Sequence, residues 1–133
     1  MSLNRHQIRE NAFKIVFVEN SDSKEDLTTI KNQVLESMDL LDEDNKFLDE
    51  LIVGVSEHKK EIDQLISEQL KKGWSVDRLE KPDRAILELA VFELKYTDTP
   101  NSVIINEAIE LSKKYTDDKA RKFINAILSA VAK

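Results

Sequence analysis

Only two glycines and two prolines occur among the 133 residues of this chain. A β-rich fold of this length needs many tight turns, and glycine and proline supply most of the backbone conformations that such turns require. Their scarcity therefore favours helices joined by short connections. Charged residues make up 35% of the chain, which fits helices with one buried face and one solvated face. The sequence predicts an all-α fold.

Apolar residues recur at helical spacing in about seven segments. The predicted helices cover about residues 4–19, 23–38, 59–71, 82–96, 102–115 and 118–132. A further helix is predicted between the second and the one that begins at residue 59, with Asp42 as its N-cap. The segment 59–71 either forms its own helix or continues the one before it. Gly54 lies inside a helix, where glycine costs about 1 kcal/mol relative to alanine, so it predicts a close helix crossing.

The clearest break is the segment KKGWS, residues 71–75. Gly73 suits the residue that follows a helix C-terminus. We expect two small packed helical bundles, an N-terminal subdomain of about residues 1–72 and a C-terminal subdomain of about 73–133. Pro82 and Asp83 suit the first turn of the next helix. Its segment AILELAVFEL is apolar nearly all round, which predicts a central, buried helix.

The residues needed for catalysis or metal binding are few. The chain has no cysteine and only two histidines, His6 and His58, which we expect to be exposed rather than catalytic. Neither a metal site of usual spacing nor a glycine-rich phosphate loop is present. The sequence therefore predicts a protein that is not an enzyme and binds no cofactor and no metal. Without a signal peptide or a membrane-length apolar run, we expect it in the cytoplasm.

Charge is unevenly distributed along the chain. Residues 20–70 hold five Lys/Arg and fourteen Asp/Glu, whereas residues 113–133 hold six Lys/Arg and two Asp/Glu. The net charge of −6 disfavours binding of nucleic acid by the whole surface. Local binding at the two basic ends stays open, and the acidic body suits a basic protein partner.

The first basic end is NRHQIRENAFKIVF, residues 4–17. Arg5 and Arg9 are four residues apart, so they share a helix face with the apolar side chains. They also lie near the helix N-terminus, where the helix dipole disfavours positive charge. Two interpretations stay open for Arg9: a pair with an acid on a neighbouring helix, or a contact with an anionic ligand.

The second basic end is ARKFINAIL, residues 120–128. At about 100° per residue, Asn125 falls on the polar face with Arg121 and Lys122, while Phe123 lies at the border of the apolar stripe. A partly open ring, cations and an amide are groups that stack on and hydrogen-bond an unpaired base. The alternative is that Phe123 is an ordinary core residue beside a solvated face.

Three segments together resemble the NusB family of transcription antitermination factors. They are RHQIRENAFKIVF at residues 5–17, RAILELAVFEL at 84–94, and SVIINEAIELSKKY followed by KFINAIL at 102–128. The resemblance implies binding of boxA RNA, a single-stranded element of rRNA leader transcripts, together with NusE, a basic small-subunit ribosomal protein. It also implies action on RNA polymerase within an antitermination complex that contains other Nus factors, which promotes rRNA synthesis. The oligomeric state stays open between a monomer and a homodimer.

The resemblance also implies roles for particular residues. The RNA-binding positions are Arg5, His6, Gln7, Arg9, Lys122, Phe123 and Asn125. The positions that face NusE are Asp83, Glu80 and Phe17.

The chain departs from the family pattern at several positions. His6 and Gln7 stand where arginines often occur, Glu88 replaces a commonly basic residue implicated in RNA contact, and Ala126 replaces a glycine. These departures imply weaker RNA binding or more dependence on the partner. The alternative is a helical module that binds a basic ribosomal protein without binding RNA. Kinship with the NusB-like domain of RNA cytosine methyltransferases is disfavoured because the chain has no cysteine nucleophile.

Overall fold

The computed structural model describes residues 3–21 and 24–133, which form seven α-helices, one 3-10 helix and no strand. The α-helices are α1 (Arg5–Asn20), α2 (Leu27–Leu35), α3 (Asp42–Glu57), α4 (Lys59–Ser67), α5 (Lys81–Tyr96), α6 (Asn101–Tyr115) and α7 (Asp118–Ala132). The 3-10 helix spans Val76–Arg78. The predicted all-α class with seven helices is confirmed.

Some helix ends differ from the prediction. Helix α2 begins later than predicted, at Leu27, and ends earlier because Glu36 and Ser37 adopt left-handed backbone conformations, with φ of 49° and 68°. Residue 23 of the predicted segment lies outside the described residues. Helix α4 is separate from α3, since His58 leaves the helical conformation between them. Asp42 is the first residue of α3 rather than its N-cap. Gly73, with φ of 90°, lies in a turn beyond the end of α4.

Helix α5 is the centre of the fold. It packs against α1, α3, α4, α6 and α7, and every residue from 85 to 93 is buried. This confirms the central, buried helix that its sequence predicts. The apolar side chains on both sides of residue 73 join in one core, so the division into two subdomains stays a prediction.

Gly54 marks the crossing of α3 and α5. A Cβ atom at this position would lie 2.2 Å from the ring of Phe92, a separation far below ordinary van der Waals contact. The predicted close approach of two helices is therefore confirmed, and any side chain at this position would force the Phe92 ring to move.

Two glutamates lie inside the fold on α5, and α1 supplies a partner to each. Glu93, 2% exposed, accepts hydrogen bonds of 2.9 Å from both Nε and Nη2 of Arg9. Glu88 is fully buried and accepts a hydrogen bond of 2.6 Å from Asn20 Nδ2. Buried charges require such partners, because transfer from water is costly without them. Helix α1 is thus held to the central helix at two positions.

The surroundings of Glu88 contain a second acid, Asp63. Lys59 Nζ lies 3.0 Å from Glu88 Oε2, and Arg84 contacts both carboxylates at 3.3 Å. Burial and the neighbouring Glu88 raise the pKa of Asp63 to about 7. Burial alone would raise the pKa of Glu88, but the hydrogen bond with Asp63 and the charge of Lys59 hold that pKa below its ordinary value. The cluster therefore binds a proton on Asp63 near neutral pH.

Candidate nucleic-acid interface

Helix α7 presents the polar face that helical geometry predicts. It begins where the Asp117 side chain accepts a hydrogen bond of 2.8 Å from the backbone N–H of Ala120. The predicted apolar stripe is buried and consists of Ile124, Ile127, Leu128 and Val131. Lys122, Asn125 and Ala126 are exposed. The asparagine thus lies on the outer face of the helix, and its RNA contact stays a prediction.

Phe123 lies between the core and the surface. It is half-buried and packs against the core, yet it also lines an open depression of about 540 Å³ next to Lys119 and Ala120. A ring in this position can offer an accessible edge or face to a ligand while the protein interior holds it in place. Lys119 lies four residues before Phe123, so the two share a helix face. Lys119 is not among the RNA-binding residues predicted from the sequence, although its spacing from Phe123 could have identified it.

At the start of α1, two of the predicted RNA-binding residues also serve the fold. Gln7 and Asn4 form a capping box, with hydrogen bonds of 2.8 Å from the Gln7 N–H to Asn4 Oδ1 and of 2.9 Å from the Asn4 N–H to Gln7 Oε1. His6 Nδ1 lies 2.6 Å from Glu107 Oε2 on α6. Both side chains are exposed, so these contacts leave part of each accessible.

The two arginines of α1 differ in exposure. Arg5 is exposed, and its guanidinium carbon lies 3.8 Å from the centroid of the Phe47 ring. Arg9 is only 5% exposed and is bound to Glu93, so its pairing with an acid on a neighbouring helix is confirmed. Because this pair occupies the Arg9 guanidinium inside the core, the direct RNA contact expected of Arg9 does not fit the arrangement in the structure.

Helix α6 connects the two basic segments. It packs against α7 and reaches α1 through Tyr115, whose hydroxyl donates a 2.5 Å hydrogen bond to Glu10 Oε2. Burial and this carboxylate raise the pKa of Tyr115 to about 12. Lys114 Nζ also lies 2.5 Å from Glu10, and these contacts hold the pKa of Glu10 below its ordinary value although burial opposes them. The three helices therefore hold both segments in a fixed relation.

The three predicted partner-binding residues lie along one surface groove. Glu80 and Asp83 line the depression that contains Phe123, and Phe17 lines a second depression of about 450 Å³. Pro82 and Tyr115 line both depressions, so the two lie side by side. We call this surface the acidic groove. It is lined by Phe13, Lys14, Phe17, Val18, Val34, Glu36, Glu80, Pro82, Asp83, Tyr115, Thr116, Asp117, Lys119, Ala120 and Phe123.

Negative charge is concentrated at the α5 end of the acidic groove. Burial, followed by the nearby charges of Asp117 and Glu80, raises the pKa of Asp83. Neither Asp117 nor Tyr115 was predicted to belong to this surface. Asp117 could be recognised only as the N-cap of α7, and an aromatic residue at a helix end such as Tyr115 is typical of a core position. The groove combines apolar surface with acids, which suits a basic partner.

Glu88 is not part of this surface. The family resemblance implies that a glutamate here weakens an RNA contact, which stays a prediction; its side chain is fully buried beside Lys59 and Arg84. His58 is also less exposed than expected, because its ring is half-buried and stacks 4.0 Å from that of Tyr96. The described residues contain no cluster of His, Cys, Asp and Glu side chains that could hold a metal ion. Among the same residues, no helix is long and apolar enough to cross a bilayer.

Comparison with known proteins identifies relatives over the full length of the chain. The model of the NusB family matches residues 6–133. The transcription antitermination protein NusB of Pediococcus pentosaceus is 54% identical over 133 residues, which cover all of both chains. That of Ligilactobacillus salivarius is 44% identical over 128 residues, which cover 96% of this chain and 97% of the relative.

Solved structures share the fold as well. A structure of T. maritima NusB superposes with a TM-score of 0.89 at 37% identity and covers 99% of this chain and 92% of that chain. A structure described as antitermination factors NusB and NusE in complex with dsRNA gives a TM-score of 0.85 at 29% identity and covers 96% and 95% of the two chains. The family match and the sequence identity agree with the helical architecture, and the chain belongs to the NusB family.

Proposed function

We propose that this protein is an RNA-binding transcription antitermination factor. It binds boxA-type single-stranded RNA of rRNA leader transcripts together with NusE, and so promotes processive antitermination and rRNA synthesis. The observation that carries the proposal is the outer face of α7, where exposed Lys122 and Asn125 flank the half-buried ring of Phe123. A relative in the family is known in complex with NusE and double-stranded RNA.

Each group on α7 has a chemical role in this proposal. Phe123 stacks on a base, Asn125 hydrogen-bonds a base edge, and Lys122 neutralises a phosphate. Base stacking on an aromatic side chain contributes about 1–3 kcal/mol. The amide can donate and accept hydrogen bonds, which an unpaired base can meet on its Watson–Crick edge.

The start of α1 contributes phosphate contacts. Arg5 is exposed at the first position of the helix, where the helix dipole also attracts an anion. His6 and Gln7 follow it and remain accessible. Arg9 is assigned to the support of this segment through Glu93 rather than to RNA itself.

The acidic groove is the binding surface for NusE. The acids Glu80, Asp83 and Asp117 attract a basic protein, and Phe17 offers apolar contact. The same groove contains Phe123, so RNA phosphates approach a negative surface when the partner is absent. A basic partner in the groove neutralises this charge and thereby favours RNA binding beside it.

The proposed function also implies a mode of action and a location. The protein acts by binding alone, without catalysis, as a component of an RNA polymerase complex that includes other Nus factors. Its place of action is the cytoplasm, where transcription occurs in bacteria.

A titration of RNA with and without NusE tests the proposal. Fluorescence anisotropy at physiological salt compares a boxA-type single strand, a scrambled strand and a duplex of the same sequence. We expect preferential binding of the boxA strand, with affinity that increases when NusE is present. Absence of specific RNA binding in both conditions would reject the proposal.

Substitutions locate the binding surface. Phe123→Leu keeps apolar packing but removes the aromatic face, and Asn125→Ala removes the amide. Both should weaken RNA binding, whereas Asp83→Asn should weaken binding of NusE. The acidic groove also favours the alternative of a protein-interaction module that binds a basic ribosomal protein without RNA. That alternative predicts NusE binding with no specific RNA uptake.

A further inference from the structure

Phe47 of α3 connects the buried centre of the fold to the exposed Arg5. Its ring is 8% exposed, and its centroid lies 3.8 Å from the Arg5 guanidinium carbon and 5.3 Å from that of Arg9. Arg9 in turn binds Glu93 on the central helix through two hydrogen bonds of 2.9 Å. The four side chains form a continuous column from Glu93 to the surface, which we call the arginine column.

From this geometry we infer that Phe47 is a positioning residue for RNA binding, which holds the Arg5 guanidinium in place for a phosphate. This inference rests on the function proposed above, because it assigns Arg5 to RNA. An arginine side chain at the surface is otherwise free to adopt many rotamers, and ordering it on binding lowers affinity. A guanidinium stacked on an aromatic face keeps its N–H groups at the edges, where a phosphate can accept from them.

Helix α3 fixes the neighbouring backbone as well. The Leu3 N–H donates a 3.1 Å hydrogen bond to Asp44 Oδ2, and Asp44 lies one turn before Phe47 on α3. The first turn of α3 thus holds the chain just before α1, while Phe47 holds the first side chain of α1.

The column gives the buried Arg9 a supporting role. Without its charge, Glu93 would lack a partner, and without its guanidinium the Phe47 ring would lose one neighbour. Arg5 and Arg9 therefore have different roles in the arginine column: Arg5 contacts the phosphate, and Arg9 packs beneath the Phe47 ring that holds Arg5. Neither Phe47 nor Glu93 would be assigned to RNA binding from their burial alone.

A double-mutant cycle between Arg5 and Phe47 tests the inference. Affinity for boxA-type RNA is measured with NusE for the wild type, Arg5→Ala, Phe47→Leu and the double variant. Leucine keeps apolar volume but removes the ring face, so we expect about a two- to five-fold loss of affinity, the equivalent of an exposed cation–π contact. In the Arg5→Ala background the same change should have no further effect.

Two further measurements separate positioning from general destabilisation. Phe47→Tyr keeps the ring and should bind RNA like the wild type. Relaxation of the Arg5 ¹⁵Nε in the free protein should show increased mobility in Phe47→Leu but not in Leu48→Val, a core variant on the same helix.

The outcomes are distinct. Equal losses from Phe47→Leu in the presence and absence of the Arg5 side chain would overturn the inference while the proposed function stands. Unchanged RNA binding by Arg5→Ala would also overturn it, and the variants of Phe123 and Asn125 would then report separately on the proposed function.

Discussion

The two basic segments of this chain place their side chains in different surroundings. At the start of α1, Arg9 is buried against Glu93, and Gln7 belongs to a capping box. On α7, Lys122 and Asn125 are exposed and make no side-chain hydrogen bond or ion pair with any other residue that the structure describes. Two segments with similar polar residues therefore differ in how far their side chains are engaged within the fold. The α1 segment is part of the folded framework, whereas the α7 segment is available for a ligand.

This difference has a consequence for the interpretation of variants. A substitution in the α1 segment changes stability and binding together, because the same side chains support the helix. Removal of a polar side chain from the outer face of α7 changes binding with little effect on stability. The comparison can be tested by measuring the free energy of unfolding and the RNA affinity of the same variants.

Arg9→Ala should have the largest effect on stability. It leaves the Glu93 carboxylate buried without its partner, and removal of one member of a buried pair costs about 3–5 kcal/mol. Denaturant unfolding measures this loss. The double variant Arg9→Met/Glu93→Leu replaces the pair by apolar side chains and should recover most of the stability. If Arg9→Ala alone is as stable as the wild type, the α1 segment is not the framework described above.

The acid cluster at the other end of α1 should make stability depend on pH. Asp63 has a folded pKa of about 7 against an ordinary value of 3.8, so between these values the folded protein keeps a proton that the unfolded chain has lost. The contribution of Asp63 is present in full below about pH 4 and is lost as pH rises through about 7. Stability should therefore fall from pH 5 to pH 8.

Asp63→Asn should reduce this fall. Subtracting the unfolding free energy of the variant from that of the wild type at each pH removes the contribution of the other titrating groups. Asp77→Asn is the matched control, because Asp77 also contacts Arg84, at 3.2 Å, but its side chain is 84% exposed. Unfolding curves at several pH values decide the matter. A parallel pH dependence of Asp63→Asn and the wild type would contradict the protonated cluster.

Gln7→Ala tests the capping box at the start of α1. Loss of the reciprocal hydrogen bonds with Asn4 should lower the free energy of unfolding by about 1 kcal/mol. Gln33→Ala, at an exposed position of α2, controls for the change of residue type and should have little effect. Equal stability of the two variants would show that Gln7 has no structural role and would weaken the contrast with α7.

The fold could be predicted from the sequence mainly where a periodic pattern coincides with a capping signal. Helix α7 has the bounds that its pattern predicts, because Asp117 caps it and its apolar stripe is regular. Helix α2 was predicted too long, since Glu36 and Ser37 end it with left-handed conformations that glycine usually supplies. The 3-10 helix Val76–Arg78 was missed because three residues carry no periodic signal.

The candidate site was predictable only where it lies on one helix. The polar face of α7 follows from spacing within that helix. The burial of Arg9 depends on Glu93, which lies 84 residues further along the chain, and the position of Arg5 depends on Phe47. Such contacts follow from how the helices pack, which local periodicity does not determine. For the same reason, the continuity of Phe123 with the acidic groove could not be predicted.

Ala126→Gly tests whether the methyl group beside Phe123 limits access to its ring. Because Ala126 is exposed on α7, the substitution should cost about 1 kcal/mol or slightly less through helix propensity alone. We expect RNA affinity to increase despite this loss. Ala132→Gly, near the end of the same helix, controls for backbone flexibility. If affinity does not increase, the accessible-ring account of this segment loses its support.

Lys122→Ala should have the smallest effect on stability, because its exposed side chain has no hydrogen bond or ion pair among the described residues, and such a side chain usually contributes less than about 0.5 kcal/mol. We expect its main effect on RNA binding. Removal of one phosphate contact should reduce the dependence of log affinity on log salt concentration by about 0.7 for a single strand. RNA titrations at several salt concentrations measure this slope, and Lys72→Ala, in the connection between α4 and α5, should leave it unchanged. An equal slope for Lys122→Ala and the wild type would show that Lys122 contacts no RNA phosphate. The contrast in RNA binding between α7 and α1 would then not hold.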